Sequence, residues 1–219
     1  IIAILPMRGG SQRIPGKNLR ELGGVPLFAH ILATLQKLDL IQQIIVDSDS
    51  DKILETASHF RSSNMILSKR PEELGHGSVP MTKVLSRVAE IHESDWILQT
   101  HSTSPFIKPE TIEKSISNVL SGGYDSGFSV SGMQERLWDE KARPLNHSPE
   151  NLQPTQDLDK FYIENSGFYF FQPQQLKQRK TRFGEKPLLC EVSRIESIDI
   201  DEEEDFRLAE AVIAGIRND

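Results

Sequence analysis

The chain has 219 residues, a length that fits one large α/β domain or a core domain with a modest insertion. Its 32 acidic and 25 basic side chains give a formal charge of -7, which argues against a nucleic-acid-binding protein or a membrane-surface protein, because such surfaces need clustered cations. The single cysteine, Cys190, excludes an internal disulfide framework and a CxxC metal site, and indicates a cytoplasmic protein. No apolar run approaches the roughly 20 residues that span a bilayer.

Short apolar runs alternate with longer amphipathic segments through the first half of the chain. This rhythm is typical of βαβ units wound around a parallel sheet. We predict strands at residues 1–5, 44–46, 96–98, 126–131, 167–171 and 188–192. We predict helices at residues 26–37, around Ile53 to Ala57, at 80–92, from Pro109 onwards, and at 202–216. The fold class is therefore α/β, with a mostly parallel, twisted sheet flanked by helices.

The rhythm changes at about residues 132–165. This part lacks helical periodicity and contains three prolines among charged and amide side chains. We interpret it as an excursion of extended segments and loops from a single domain, 1–219, with Trp138, Leu145 and Phe161 as apolar anchors. Excursions of this kind commonly meet a partner subunit.

A glycine-rich loop follows the first predicted strand, from Arg8 to Asn18. Gly9 and Gly10 allow the backbone to approach a ligand and present N–H donors, and the loop adds the cations of Arg8, Arg13 and Lys17. The combination suits a polyphosphate, although the loop is neither GxxxxGK[ST] nor GxGxxG. An ordinary βα loop with solvated cations is the alternative.

A pair of carboxylates, Asp199 and Asp201, lies near the C-terminus. Residues two apart in an extended segment project to the same side, so both carboxylates can be directed at one Mg²⁺. The alternative is helix capping, because Asp201 directly precedes Glu202 at the start of the last predicted helix.

Polar side chains also follow the predicted strand at 96–98, in the sequence His101-Ser102-Thr103-Ser104-Pro105. Ligands of open α/β sheets bind beyond the carboxyl ends of the strands, where these groups would meet a polar substrate. Hydroxyl-rich loops are also ordinary turn material. The other five histidines share no metal-ligand spacing, and no nucleophile elbow is present.

Together these segments resemble the acylneuraminate cytidylyltransferase family, which makes CMP-activated sialic acids. Residues 8–18 resemble its nucleotide loop, Arg70-Pro71 its arginine-proline pair, Thr103-Ser104-Pro105 its substrate loop, and residues 197–201 its Ser-Ile-Asp-Ile-Asp metal segment. The resemblance assigns nucleotide contacts to Arg8, Gly9, Gly10, Ser11, Arg13, Lys17, Asn18 and Arg70. It assigns sugar contacts to His101, Ser102, Thr103, Ser104, Gln156, Glu164 and Asn165.

The resemblance implies a Rossmann-like nucleotidyltransferase fold, dependence on Mg²⁺, and a homodimer in which the excursion helps to complete a neighbouring site. Arg8, Lys17, Asp199 and Asp201 would carry catalysis, the two aspartates as metal ligands. The implied reaction is attack by the anomeric hydroxyl of an acidic 2-keto sugar on the α-phosphorus of CTP, with loss of pyrophosphate.

Three departures from the family pattern bear on the sugar. His101-Ser102 stands where family members often have Gln-Pro, no arginine is evident around residues 154–157, and Glu164 lies beside Asn165. An acid at that place could favour a substrate with an amine or an extra hydroxyl. A 3-deoxy-octulosonate or diamino nonulosonate acceptor, a hexose-1-phosphate nucleotidyltransferase, and a catalytically silent nucleotide-binding protein are the alternatives.

Overall fold

A computed structural model describes residues 1–10 and 13–216 of the chain. The predicted nucleotide contact Ser11 lies outside the described residues. The strands are β1 (Ile2–Met7), β2 (Glu21–Leu22), β3 (Val25–Pro26), β4 (Gln43–Ser48), β5 (Met65–Lys69), β6 (Ile97–Thr100), β7 (Ser126–Met133), β8 (Phe161–Phe171) and β9 (Pro187–Glu191). The α-helices are α1 (Leu27–Leu35), α2 (Asp51–Ser58), α3 (Met81–Ile91), α4 (Pro109–Ser121), α5 (Gln174–Arg179) and α6 (Glu203–Ile216).

Seven strands form one sheet in the order β5-β4-β1-β6-β8-β7-β9, and β2 pairs with β3 in a separate hairpin. Neighbours in the large sheet are parallel except where β8 runs antiparallel to both β6 and β7. The predicted α/β class with a mostly parallel sheet is confirmed. Strands β1, β4, β5 and β6 therefore end at the same edge of the sheet.

The helices cover both faces of the sheet, which explains why the central strand β1 is apolar throughout. All six residues of β1 are buried, as expected for a parallel strand with helices on each side. One face packs against buried side chains of α1, α2 and α4, and the other packs against α3 and α5. In the described part of the chain, no helix is long and apolar enough to cross a membrane.

A smaller apolar cluster joins the glycine-rich loop to the C-terminal part of the chain. Ile14 from the loop and Ile200 from the segment before α6 are buried together with Phe206 of α6. Burying side chains of this size contributes about 1.5–3 kcal/mol each. This cluster brings residues 13–17 against residues 199–201, almost two hundred positions later.

The excursion at about 132–165 contains turns, isolated bridges and the first part of β8. The expectation that Trp138, Leu145 and Phe161 are apolar anchors is wrong for the single chain, because these side chains are 51%, 63% and 41% exposed. Phe161 belongs to the end of β8 that pairs with the end of β7, whereas β6 pairs with residues 168–171 at the other end. Trp138 makes an edge-to-face contact with His147, with ring centroids 4.8 Å apart, but all three side chains keep a large exposed area.

Candidate active site

The carboxyl ends of four parallel strands deliver polar residues to one edge of the sheet. Arg8 follows β1, Asp49 follows β4, Arg70 follows β5, and His101 follows β6. A cavity of about 380 Å³ lies at this edge, and Arg8, Arg70 and His101 line it. Its lining also includes Gly10, Arg13, Lys17, Asn18, Thr103 and Asp201.

The glycine-rich loop is held in place by hydrogen bonds to its neighbours. The backbone N–H of Gly9 donates to Asp49 Oδ1 at 2.8 Å, and a Cβ on Gly9 would lie 2.8 Å from the Cβ of Ser50, so no larger residue fits. Asn18 Nδ2 donates to the backbone oxygen of Arg8 at 2.9 Å. Asn18 is a buried brace of the loop, and its Oδ1 accepts a hydrogen bond from Ser102 at 2.6 Å.

Two cations of the loop converge on Asp201. Lys17 Nζ donates to Asp201 Oδ1 at 3.1 Å and to the backbone oxygen of Ile200 at 2.7 Å, while Arg13 Nη2 donates to Asp201 Oδ2 at 2.9 Å. Burial opposes ionisation of Asp201, but the hydrogen bonds and charges of Lys17 and Arg13 prevail and lower its pKa. The side chain of Lys17 is only 11% exposed, so the ammonium is fixed at the cavity wall.

Helix capping does not explain Asp201. The carboxylate that accepts the backbone N–H groups of Asp201 and Glu202, at 2.9 and 2.7 Å, belongs to Asp205. Asp201 itself turns toward the cations of the glycine-rich loop. The glycine-rich loop and the acidic segment near the C-terminus are therefore in direct contact.

Asp199 carries the feature that best fits a metal ion. Its Oδ1 is buried and has no hydrogen-bond partner in the described part of the chain. Burial raises the pKa of Asp199, a hydrogen bond from Thr103 opposes this, and the nearby charge of Asp201 adds to the rise. An unpaired carboxylate oxygen beside a second carboxylate is a donor set that Mg²⁺ accepts, with water and phosphate oxygens completing its shell. No group of three or more His, Cys, Asp or Glu side chains in residues 1–10 and 13–216 could hold a metal.

The hydroxyl-rich loop after β6 contacts both the glycine-rich loop and the segment 199–201. Not all of its side chains line the cavity. Thr103 lines the cavity, and its backbone oxygen accepts the N–H of Ile200 at 2.8 Å. Ser102 is buried against Asn18. The Oγ of Ser104 is buried without a partner in the described chain.

His101 lines the cavity and belongs to a polar network that sequence reasoning missed. Its Nε2 lies 2.6 Å from Gln99 Nε2, and Gln99 Oε1 accepts a hydrogen bond from Arg182 at 3.0 Å. The guanidinium of Arg182 stacks on the ring of Tyr169, 3.5 Å from its centroid. Burial, together with the charge of Arg182, lowers the pKa of His101 to about 4, so the imidazole is neutral at physiological pH.

Glu164 extends this network from the antiparallel strand β8. Its carboxylate accepts a short hydrogen bond from the Tyr169 hydroxyl, and burial together with this bond raises the pKa of Tyr169. The side-chain amide of Asn165 makes its hydrogen bonds within the protein. Its Nδ2 donates to Ser131 Oγ at 3.0 Å, and its Oδ1 accepts the N–H of Gly167 at 3.2 Å. None of these side chains is part of the cavity lining.

Gln156 lies in the excursion with an exposed side chain and does not line the cavity. His76, by contrast, is one of the five histidines that the sequence did not place in the site, and it lines the cavity together with Gly77. A Cβ at Gly77 would lie 2.7 Å from Arg8 Nη1, so the glycine makes room for that guanidinium.

Arg70 forms an ion pair with Asp47, a buried residue that was not selected from the sequence. Its Nε donates to Asp47 Oδ2 at 2.6 Å and its Nη2 to the Asp47 backbone oxygen at 3.1 Å. Arg87 donates to the other oxygen of Asp47 at 3.2 Å. Asp47 is completely buried, and Arg70 is 3% exposed. The only sequence signal was a carboxylate at the end of an aliphatic strand.

Comparison with known proteins decides the family. A family model described as cytidylyltransferase matches residues 2–217. This chain belongs to the cytidylyltransferase family. The resemblance to the acylneuraminate enzymes is confirmed by relatives bearing that name.

Among the curated cytidylyltransferases, N-acylneuraminate cytidylyltransferase A of Danio rerio is 29% identical over 96% of this chain. The chain spans 50% of the length of that fish relative. CMP-N,N'-diacetyllegionaminic acid synthase of Legionella pneumophila is 32% identical, and the match covers 97% of this chain and 96% of that protein.

Solved cytidylyltransferase structures share the fold. CMP:2-keto-3-deoxy-manno-octonic acid synthetase complexed with CTP superposes with a TM-score of 0.71 at 14% identity, covering 98% of each chain. The 4-diphosphocytidyl-2C-methyl-D-erythritol synthase of Anaerococcus prevotii superposes with a TM-score of 0.67 at 16% identity, covering 97% of this chain and 95% of that one. The predicted nucleotidyltransferase fold is thereby confirmed.

Proposed function

We propose that this cytidylyltransferase transfers CMP from CTP to the anomeric hydroxyl of an acidic 2-keto sugar, a sialic acid or related nonulosonate, and releases pyrophosphate. The observation that carries the proposal is the contact of Lys17 and Arg13 with Asp201 at the mouth of a polar cavity. A cationic phosphate loop and an acidic segment that meet at one point can hold a triphosphate together with a divalent cation.

The triphosphate would lie across the glycine-rich loop. Arg8, Gly10, Arg13 and Lys17 line the cavity, so guanidinium, backbone and ammonium donors face the same space. In this role Arg13 and Lys17 exchange part of their contact with Asp201 for phosphate oxygens. Catalysis then consists mainly of positioning and charge neutralisation.

Mg²⁺ would be held by Asp199 and Asp201. When bound, it would neutralise phosphate charge and complete its shell with water. The unpartnered Oδ1 of Asp199 supports this assignment, because an isolated buried acceptor is costly unless a ligand satisfies it.

The acceptor would lie on the His101 side of the cavity. Its anomeric oxygen forms the new bond to the α-phosphorus, the bond from that phosphorus to the leaving pyrophosphate breaks, and the hydroxyl proton passes to solvent. His101 is neutral and its Nε2 already faces Gln99, so we assign it to sugar binding rather than to proton removal.

The proposal is tested by pyrophosphate release from a panel of the four nucleoside triphosphates with sialic, octulosonic and hexose-phosphate acceptors in the presence of Mg²⁺. We expect release with CTP and a nonulosonic acid. A preference for octulosonate would show that the proposed acceptor sugar is wrong. Turnover with a hexose phosphate would show that the proposed reaction class, transfer to a sugar hydroxyl, is wrong. No release with any acidic sugar would contradict the proposal.

We also propose that residues 1–219 form one domain that assembles as a homodimer through the excursion. Exposed apolar side chains cluster in sequence there, with Leu152 61% and Ile163 50% exposed in addition to the three residues described above. Contiguous exposed apolar patches mark interfaces, and the proposal takes these side chains to form one in the dimer. A cytoplasmic location stays a prediction, in keeping with a buried, free Cys190.

A further inference from the structure

A polar relay runs from Arg182 to the imidazole that lines the cavity. Arg182 Nη1 donates to Gln99 Oε1 at 3.0 Å, and Gln99 Nε2 lies 2.6 Å from His101 Nε2. Gln99 is completely buried, and Arg182 is held against the Tyr169 ring at 3.5 Å. The relay is therefore built into the protein, since neither of its first two members is free to turn into solvent.

The direction of the hydrogen bonds follows from the groups available. A guanidinium can only donate, so Gln99 must turn its oxygen toward Arg182 and its NH₂ toward His101. An amide NH₂ also only donates, so His101 Nε2 must accept. A neutral imidazole that accepts at Nε2 carries its proton on Nδ1. This tautomer is the opposite of the Nε2–H form that free histidine prefers.

We propose that Arg182 is a positioning residue that acts through Gln99 to fix His101 as its Nδ1–H tautomer, so that His101 donates a hydrogen bond to an oxygen of the acceptor. His101 lines the cavity, and its Nδ1 has no hydrogen-bond partner within residues 1–10 and 13–216. The fixed tautomer has no free basic nitrogen for the attacking hydroxyl. The identity of the ligand rests on the proposed function, whereas the tautomer does not.

The charges around the ring agree with a neutral donor. Burial is the main cause that lowers the pKa of His101, the cations of Arg182 and Lys17 lower it further, and Asp201 opposes them. A neutral N–H directed at a hydroxyl or carboxylate oxygen contributes affinity without adding charge to a site that already holds several cations.

The tautomer can be read by long-range ¹H–¹⁵N NMR of the imidazole at neutral pH. The unaltered chain should show a protonated Nδ1 and an accepting Nε2. Arg182→Met should release Gln99 to rotate and let the Nε2–H form appear. Arg179→Met is the matched control, because Arg179 forms an ion pair with Glu185 at 3.4 Å on the surface, and its loss should leave His101 unchanged.

A second variant keeps the experiment decisive if Arg182→Met fails to fold. Gln99→Glu retains the guanidinium and the size of the side chain, but a carboxylate has no N–H to offer, so His101 Nε2 must then carry a proton. An Nε2–H form in the unaltered chain, or an unchanged Nδ1–H form in either variant, would overturn the relay.

Kinetics separate the relay from the ligand. Arg182→Met should raise KM for the acidic sugar about tenfold, the loss expected for one hydrogen bond, while KM for CTP stays the same. An unchanged sugar KM with the predicted NMR change would overturn the role of His101 in acceptor binding. A protein that shows the predicted tautomers but turns over no acidic sugar would overturn the proposed function and leave the relay standing.

Discussion

Replacing His101 with glutamine should remove a pH-dependent loss of stability in acid. Burial, reinforced by Arg182 and Lys17 and opposed by Asp201, lowers the pKa of His101 from 6.5 to about 4. Below pH 6.5 the unfolded chain binds a proton that the folded chain does not bind, so unfolding becomes more favourable. The contribution of neutral His101 to the free energy of unfolding is fully present above pH 6.5. It is lost as the pH falls to about 4, and the total loss is about 3 kcal/mol.

The assay is urea unfolding from pH 7.5 to pH 4 for the unaltered chain and for His101→Gln. Carboxylates common to both proteins cancel in the difference of their unfolding free energies, which should change by about 3 kcal/mol across the window. His59→Gln, at an exposed position, is the control and should show no such change. Parallel pH curves for the unaltered chain and His101→Gln would refute the reasoning.

Three further changes test the site and one tests the assembly. Asp199→Ala should abolish turnover without lowering the melting temperature, and near-normal Mg²⁺-dependent activity would remove Asp199 from the metal site. Lys17→Ala should raise KM for CTP at least about tenfold in steady-state kinetics, and an unchanged KM would place the phosphates elsewhere. Asp47→Asn should lower the free energy of unfolding in urea by about 3 kcal/mol, because it removes the buried negative charge that pairs with Arg70 and Arg87. Asp51→Asn, which removes a surface ion pair with Lys69, should lower it by under about 1 kcal/mol. Ile163→Asp should shift sedimentation equilibrium to the monomer, and a persistent dimer would place the interface outside the excursion.

Much of the fold could be predicted, because buried strands and amphipathic helices have hydrophobic patterns that are recognisable within a short stretch of sequence. The observed β4 and α2 lie where Ile44-Ile45-Val46 and Ile53 predicted them, and Ser50 caps α2 by accepting the N–H of Ile53 at 3.4 Å. The edge strand β5 was missed, since Met65–Lys69 is only partly buried and has a weak pattern. The outer half of β8 was also missed, because its exposed residues become a strand only by pairing with β7.

Some residues of the candidate site could likewise be predicted from the sequence, and others could not. Arg8, Lys17 and Asp201 could be selected from residue type and spacing, and the structure brings all three to one cavity. The supporting residues could not be selected so easily. Arg182 reaches Gln99 across 83 positions, and neither residue carries a local pattern that distinguishes it from a surface cation or an ordinary strand residue. Such contacts depend on how antiparallel β8 is inserted in the sheet, which periodicity does not reveal.

The most direct test of the central claim is ³¹P NMR of a reaction containing the chain, CTP, Mg²⁺ and a nonulosonic acid. The account predicts equal amounts of pyrophosphate and a phosphodiester that joins CMP to the sugar, with neither formed when the acid is omitted. Formation of CDP and phosphate, or of free CMP without a sugar phosphodiester, would contradict nucleotidyl transfer to an acidic sugar.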